Sequence, residues 1–426
     1  MMGTARLMGR REMLLLSAAG GFAWATCSNA QEGKKKTVED RSSELEVRCV
    51  TPRTKHHFFG YYDKFPWDKT GRYLLALETT FIDRPPTPED TAVIGMVDLQ
   101  DAHRWIALDE THAWNWQQGT HLQWLGTAPD RLIIYNMREG DRYVSVIRDV
   151  HSGETRKLPR PIYAISRDGT EAVTLNFSRV HRHRPGYGYN GVPDAWESDP
   201  HPAEDGIYWM NLQTGENRLI ISVDKIANLA PQETMQNASH WFNHLQFNHD
   251  GTRFIFLHRW KVPPSRLTRL FTAAPAGSGI YCVNPHEMTS HFDWRSATQI
   301  LAWARRPGIG DRYFIFTDRT DRAEVMGEGI LTTDGHCSYS PDGRWVLTDT
   351  YPDKEHKRTL LLYRPEDQRR VDIGHFYAPP ELGGEIRCDL HPRWSRDGTQ
   401  VCFDSAHEGD RQMYTMDVSA ITKADT

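Results

Sequence analysis

Short apolar runs bounded by turn residues recur along the chain after residue 45. Examples are Tyr73-Leu74-Leu75-Ala76-Leu77, Arg131-Leu132-Ile133-Ile134-Tyr135, Phe254-Ile255-Phe256-Leu257 and Trp345-Val346-Leu347. No long stretch there carries apolar residues at helical spacing, so the pattern predicts strands. Turns of the Asp-Gly type separate many of them. A unit of roughly 45 to 60 residues repeats: aromatic residue, Asp-Gly turn, apolar strand, variable loop, then a strand ending in Asp or Asn. Seven copies begin near Phe58, Gln118, Pro161, Trp241, Ser296, Asp334 and Asp389, the second and fifth without a clean Asp-Gly. Residues 93–99, 206–212, 360–363 and 413–418 fit the third strand of such a unit. The last copy ends one strand short, and residues 45–50 are strand-like. The expected fold is therefore all-β: a seven-bladed β-propeller over residues 45–421, closed by an N-terminal strand that removes an open sheet edge. Six or eight blades are the alternatives.

Four histidines occupy the same slot, three residues before an aromatic: His121-Leu122-Gln123-Trp124, His244-Leu245-Gln246-Phe247, His336-Cys337-Ser338-Tyr339 and His391-Pro392-Arg393-Trp394. The last three run into Asp-Gly turns at equal distance. The innermost strand of each blade lines the axis, so equal slots converge there. Residues two apart on a strand share a face, which puts Asp389 with His391 and Asp334 with His336. His336, His391 and Asp389 form a candidate metal set, suited to Mn²⁺, Zn²⁺ or Fe²⁺. Cys388-x-x-His391 is a softer alternative favouring Zn²⁺. For any single histidine, a hydrogen bond to the neighbouring blade is the plainer reading; four in one slot favour a site. His258 ends the strand of Phe254-Ile255-Phe256-Leu257, beside Arg259, and is a candidate general base; a buried structural histidine is the alternative.

Two insertions interrupt the period. Residues 80–90 are proline-rich. Residues 179–205 carry His181, His183, Arg184, Tyr187, Tyr189 and Trp196, and long aromatic loops of this kind suit an ordered lid over a site.

Composition narrows the classes. The chain is 38 % hydrophobic and 25 % charged with a net charge of −5, a globular profile without the basic footprint of a nucleic-acid binder. Fourteen Trp suit an all-β protein or a carbohydrate binder. Arg10-Arg11 precedes an apolar run over residues 14–25 and a small-residue cleavage site at Ser28-Asn29-Ala30. Residues 1–30 read as a twin-arginine-like export signal, which predicts a periplasmic or secreted protein; the run is too short for a stable membrane span. Cys27 is a poor lipidation site. Residues 31–44 read as a solvated linker. Five cysteines follow the leader, an odd and sparse set that argues against a disulfide framework.

The strand His336-Cys337-Ser338-Tyr339-Ser340-Pro341-Asp342-Gly343 and the motif Asp389-Leu390-His391-Pro392 resemble the propeller polysaccharide lyases, above all the oligogalacturonate lyase family. The resemblance implies a seven-bladed propeller acting on uronate-containing carbohydrate with a divalent cation, Mn²⁺ or Zn²⁺. It carries the family's metal histidines onto His336 and His391, with Asp389 standing where the family has histidine; the family's glutamine ligand has no clear counterpart. It carries the catalytic base onto His258 and a further site histidine onto His244. A more distant similarity to ulvan lyases, which use His, Tyr and Arg, touches His121, Tyr187 and Tyr189. The implied reaction is β-elimination: His258 takes the C5 proton, Arg259 neutralises the carboxylate, and Tyr189 or His121 protonates the leaving oxygen. His244, Arg184, Tyr187 and Trp196 contact sugar.

Two rivals use the same scaffold. A glycoside hydrolase needs two carboxylates about 5 to 10 Å apart, for which Asp63, Asp334 and Asp389 are available without an obvious pair. A binding propeller needs no clustered histidines.

Overall fold

The apolar runs are strands, and their alternation and turn chemistry set the blades. The computed structural model describes residues 36–423; the leader, Cys27 and the first residues of the expected linker lie outside them. Seven sheets form in chain order. Their innermost strands are His56–Phe58, Gln123–Trp124, Ala164–Ile165, His240–Phe247, Thr289–Trp294, Ser338–Tyr339 and Arg393–Trp394. Blade seven takes its outer strand from Arg48–Cys49, antiparallel to Gln412–Asp417. The expected N-terminal closure is thus present.

The turns act as their residues dictate. Gly251, Gly343 and Gly398 sit at φ +72°, +72° and +70°, a region open to glycine without steric penalty. Asp342 and Asp397 each accept a hydrogen bond from the serine two residues earlier, both at 2.6 Å. Among the described residues six of the seven apolar clusters span neighbouring blades and the seventh, around Trp260, lies at blade four; much of the tryptophan is in them, with Trp114, Trp116, Trp241, Trp260, Trp294 and Trp345 buried. Truncating such a residue to alanine costs about 3–5 kcal/mol. These tryptophans therefore serve packing rather than sugar contact.

Two expectations are corrected. Blade five begins at Thr289, not near Ser296, which lies in the turn after its first strand. Part of the segment read as linker is ordered: Thr37–Asp40 adds a fifth, parallel strand to blade six, in register with Arg369 to Asp372. The 179–205 insertion opens with the helix Phe177–His183, capped by Asn176. Buried Arg179 ties it down, donating to the carbonyls of His240, Trp196, Asp199 and Pro200 and to Asp194. Among the described residues no helix is long and apolar enough to cross a membrane.

Candidate active site

The histidine slot has its own backbone. His121, His244 and His391 lie at φ +53°, +54° and +40°, a left-handed conformation that is uncommon outside glycine and persists where surrounding structure enforces it. In blade four the ladder shifts register between Asn243 and Gln246 at this point. The inner strand thereby kinks and delivers its imidazole toward the axis. His336 reaches the axis differently: Asp349 accepts its backbone amide at 2.7 Å.

His336, Asp389 and His391 meet there, with donor atoms all within 4.8 Å of one another and all three residues buried. The imidazoles of His336 and His391 stand edge to face, centroids 4.3 Å apart. Nδ1 of His336 is engaged by both oxygens of Asp349, at 2.9 and 3.0 Å. Its Nε2 has no hydrogen-bond partner among the described residues, nor does either nitrogen of His391. A carboxylate behind one ring nitrogen fixes the tautomer and raises the basicity of the other, the usual support of a metal-ligating histidine. Burial depresses the pKa of His336, but Asp349, with Asp389 and Tyr187, more than reverses this and raises it. Burial and the neighbouring His336 hold His391 well below the usual range. Asp389 lies with Oδ2 2.6 Å from Arg387 Nε, Oδ1 2.7 Å from Arg358 Nη2 and Oδ2 3.9 Å from His391 Nε2. Burial would raise its pKa, yet the two arginines keep it far below the normal carboxylate value. The donor set, two unpartnered imidazoles and a carboxylate, fits a divalent cation in type. Cys337 and Cys388 are buried thiols whose pKa burial pushes up, Cys388 to about 11, so neither offers a thiolate near neutrality.

A fifth histidine joins this group. His291, in His291-Phe292-Asp293-Trp294, lies 4.1 Å from the His336 ring. Its Nδ1 is 3.0 Å from Asp334 Oδ1. Asp334, expected beside His336, thus orients the imidazole of the neighbouring blade. The spacing of His291 to Trp294 matches the other four slots, but blade five lacks the Asp-Gly turn that followed three of them.

The slot histidines other than His121 surround a segment from the connection between the first two strands of blade one. Tyr61 stands edge-on to His244, His336 and His391, at 4.9, 6.0 and 5.0 Å. The Tyr62 hydroxyl donates to the Phe292 carbonyl at 3.0 Å and accepts from its amide at 3.0 Å. Asp63 and Lys64 follow as a buried ion pair at 2.7 Å.

Cations surround the mouth. Arg184 lies 3.9 Å over the Tyr187 ring, and Arg387 donates to the Tyr187 hydroxyl at 2.5 Å. Burial raises the Tyr187 pKa, but Arg184 and Arg387 outweigh it and bring it to about 8. Arg259 is buried, and burial together with Arg184 and Arg266 depresses its pKa. Among the described residues no carboxylate pairs with it. Tyr351, 38 % exposed, lines the rim 6.4 Å from His291 and 6.1 Å from His336. A surface cavity between blades two and three, lined by Leu125, Leu132, Ile147 and Leu212, contains none of these groups.

Several expected site residues lie elsewhere. His258 is on the strand face opposite Arg259; its Nε2 is 2.9 Å from His240 Nδ1 and its Nδ1 3.2 Å from Arg269 Nη2. Both nitrogens are occupied, so it is not placed to take a substrate proton. His121 packs on Tyr163 and Phe177, away from the other slot histidines. Tyr189 stacks on Phe177, and its hydroxyl accepts from Asn136 at 2.9 Å; burial drives its pKa well up. His244 is buried against Tyr61, Tyr62 and Phe292, with its Nε2 3.3 Å from the Tyr62 hydroxyl. Trp196 meets the lid through its carbonyl, which accepts from Arg179 at 3.1 Å, and makes no ring contact with the histidine group. Of the lid residues, Arg184 and Tyr187 reach the site.

Fold and site together define a seven-bladed β-propeller with a polar, histidine-rich axial centre. Two oligogalacturonate lyases share the fold. One, from Vibrio parahaemolyticus, is 14 % identical with a TM-score of 0.62, covering 90 % of this chain and 96 % of that chain. The other, solved in complex with manganese, is 15 % identical with a TM-score of 0.64, covering 89 % and 94 %. A prolyl endopeptidase matches at 10 % identity and a TM-score of 0.52, over 87 % of this chain but 49 % of its own. At such identities the likeness is one of fold. No family model matches the sequence, and no curated protein matches it.

Proposed function

We propose that this protein is a polysaccharide lyase that cleaves uronate-containing oligosaccharides by β-elimination. One observation carries the reading: the unpartnered nitrogens of His336 and His391, with Asp389, adjoin a mouth lined by Arg184, Arg259 and Arg387. A compartment so rich in guanidinium suits a carboxylate, which arginine recognises through paired donors.

A divalent cation, Mn²⁺ before Zn²⁺ by analogy with the manganese-bound lyase of the same fold, would be held by His336, His391 and Asp389 and would act as a Lewis acid on the substrate carboxylate. Arg259, buried and without an acidic partner among the described residues, neutralises that carboxylate as negative charge grows at C5. His291, neutral at pH 7 through burial and aligned by Asp334, accepts the C5 proton. The C5–H electron pair becomes the C4–C5 double bond as the C4–O bond breaks. Tyr187, protonated below a pKa of about 8, returns a proton to the leaving oxygen. It thereby takes the part expected of Tyr189 or His121. Tyr351 offers its exposed face to a sugar ring. The hydrolase alternative is disfavoured because Asp63 pairs with Lys64, Asp334 with His291, and Asp389, which Arg387 and Arg358 keep ionised, cannot supply the proton that a general acid must give. Export by the twin-arginine-like leader would place this activity outside the cytoplasm.

The test is incubation of the purified protein with uronate oligosaccharides, following both ultraviolet absorbance of the conjugated unsaturated product and new reducing ends. Absorbance rising with reducing ends supports a lyase. Reducing ends alone indicate a hydrolase, and neither, with retained binding, indicates a binding propeller.

A further inference from the structure

We propose that Tyr61 is a positioning residue whose ring keeps His244 apart from the His336–His391 pair, and so decides which imidazoles form the ligand set. The inference rests on the reading of that set as a cation site.

The backbone before Tyr61 is held by the same buried groups that hold His391. Gly60 lies at φ +124°, where an added Cβ would come within 2.8 Å of the Gln118 carbonyl carbon. The amides of Phe59 and Gly60 donate to Asp404 at 3.3 and 3.5 Å. Arg393 donates to Asp404 at 2.8 Å and to the His391 carbonyl at 2.6 Å. One guanidinium thus ties the axial segment to the left-handed turn that aims His391.

The Tyr61 ring then fills the centre. Three imidazoles meet it at interplanar angles of 66° to 76°. The ring neighbours of His244 are Tyr61, Tyr62 and Phe292, whereas His336 and His391 touch each other directly. Tyr62 braces His244 from its other side, its hydroxyl 3.3 Å from Nε2. Hydrocarbon between rings offers neither lone pair nor charge. The space it occupies is the space His244 needs to reach the other two, and a third neutral imidazole there would change ligand number and geometry.

The experiment uses the full mature protein loaded with Co²⁺, whose visible spectrum reports ligand number and geometry, together with Mn²⁺ affinity by calorimetry. Tyr61→Phe keeps the ring and should leave spectrum and affinity unchanged. Tyr61→Ala should alter the Co²⁺ spectrum and shift Mn²⁺ affinity by about tenfold or more, the scale of supporting-residue effects at metal sites. Adding His244→Gln to Tyr61→Ala should return the spectrum toward wild type. A folded Tyr61→Ala protein with wild-type spectrum and affinity overturns the proposal, as does loss of the spectrum in Tyr61→Phe. If the wild type binds neither ion, the cation reading fails separately. The spacer role is then judged on ¹⁵N imidazole resonances of the metal-free protein: those of His244 and His336 should move in Tyr61→Ala and hold in Tyr61→Phe, and unchanged resonances in both reject it.

Discussion

Asp349 grips His336 at three points, accepting its amide at 2.7 Å and its Nδ1 through both carboxylate oxygens at 2.9 and 3.0 Å. The two residues sit in one blade, His336 before the inner strand and Asp349 at the end of the next. The carboxylate leaves Nε2 as the basic nitrogen facing the site. Asp349→Asn keeps the shape and removes the charge. It should weaken Mn²⁺ binding by about 10- to 100-fold, measured by calorimetry, with the fold retained by circular dichroism.

Arg259 is a buried cation without a carboxylate partner among the described residues. Such a group destabilises the fold and is retained for what it binds. Arg259→Met should therefore raise stability by about 1–2 kcal/mol in urea unfolding, while kcat/KM on uronate substrates falls by about 100-fold or more. Unchanged activity would remove Arg259 from the site.

His291 and His258 separate catalysis from structure. His291→Gln should lower kcat by about 10²- to 10⁴-fold, the range of a lost general base, with little change in unfolding midpoint. His258→Gln breaks the contacts to His240 and Arg269. It should cost about 1–3 kcal/mol of stability and leave the kcat of the folded fraction near wild type. The reverse pattern would restore His258 as the base.

Burial holds the pKa of His240 at about 4, against an unfolded value near 6.5. Between these limits the unfolded chain binds a proton that the native protein refuses, so stability declines as pH falls through that window and is unaffected above it. The loss amounts to about 3 kcal/mol by pH 4. Urea unfolding at a series of pH values should show this slope, and His240→Gln should flatten it.

Tyr187 sets the opposite limb. If it donates its proton, kcat/KM falls as pH rises through about 8. Arg184 is the larger of the two cations lowering that value, so Arg184→Gln should move the limb upward in a pH–rate profile as well as raise KM.

The propeller is legible because five of the seven blades repeat one chemistry: a glycine at positive φ after the inner strand (Gly71, Gly169, Gly251, Gly343, Gly398), an apolar run, then a closing strand. Where the chemistry lapses, legibility lapses with it. Blade five has Arg295-Ser296-Ala297 in place of an Asp-Gly turn; its inner strand was therefore displaced and His291 went unread, although its spacing to Trp294 was in view. His258 and Arg259 differ by one position, and one position on a strand reverses the face; the pattern could mark the pair without assigning which member reaches the axis. Asp349 ends the strand paired with the one after His336, but the pattern does not say that this strand-end carboxylate meets the slot histidine, and Tyr61 acts through contacts with segments far from it in sequence. Tyr187 and Tyr189 lie two apart in a loop, where no alternation rule applies, and Arg387 with Glu385 and Gly186 decides between them by packing.

The clasp of Arg48–Cys49 on Gln412–Asp417 joins the two ends of the chain within the sheet that carries His391. Only two residues of backbone pairing make that clasp. A proteolytic nick that frees residues 48–49 would bare the ladder of Gln412–Asp417, turning a closed ring into one with an open edge on which another chain could pair.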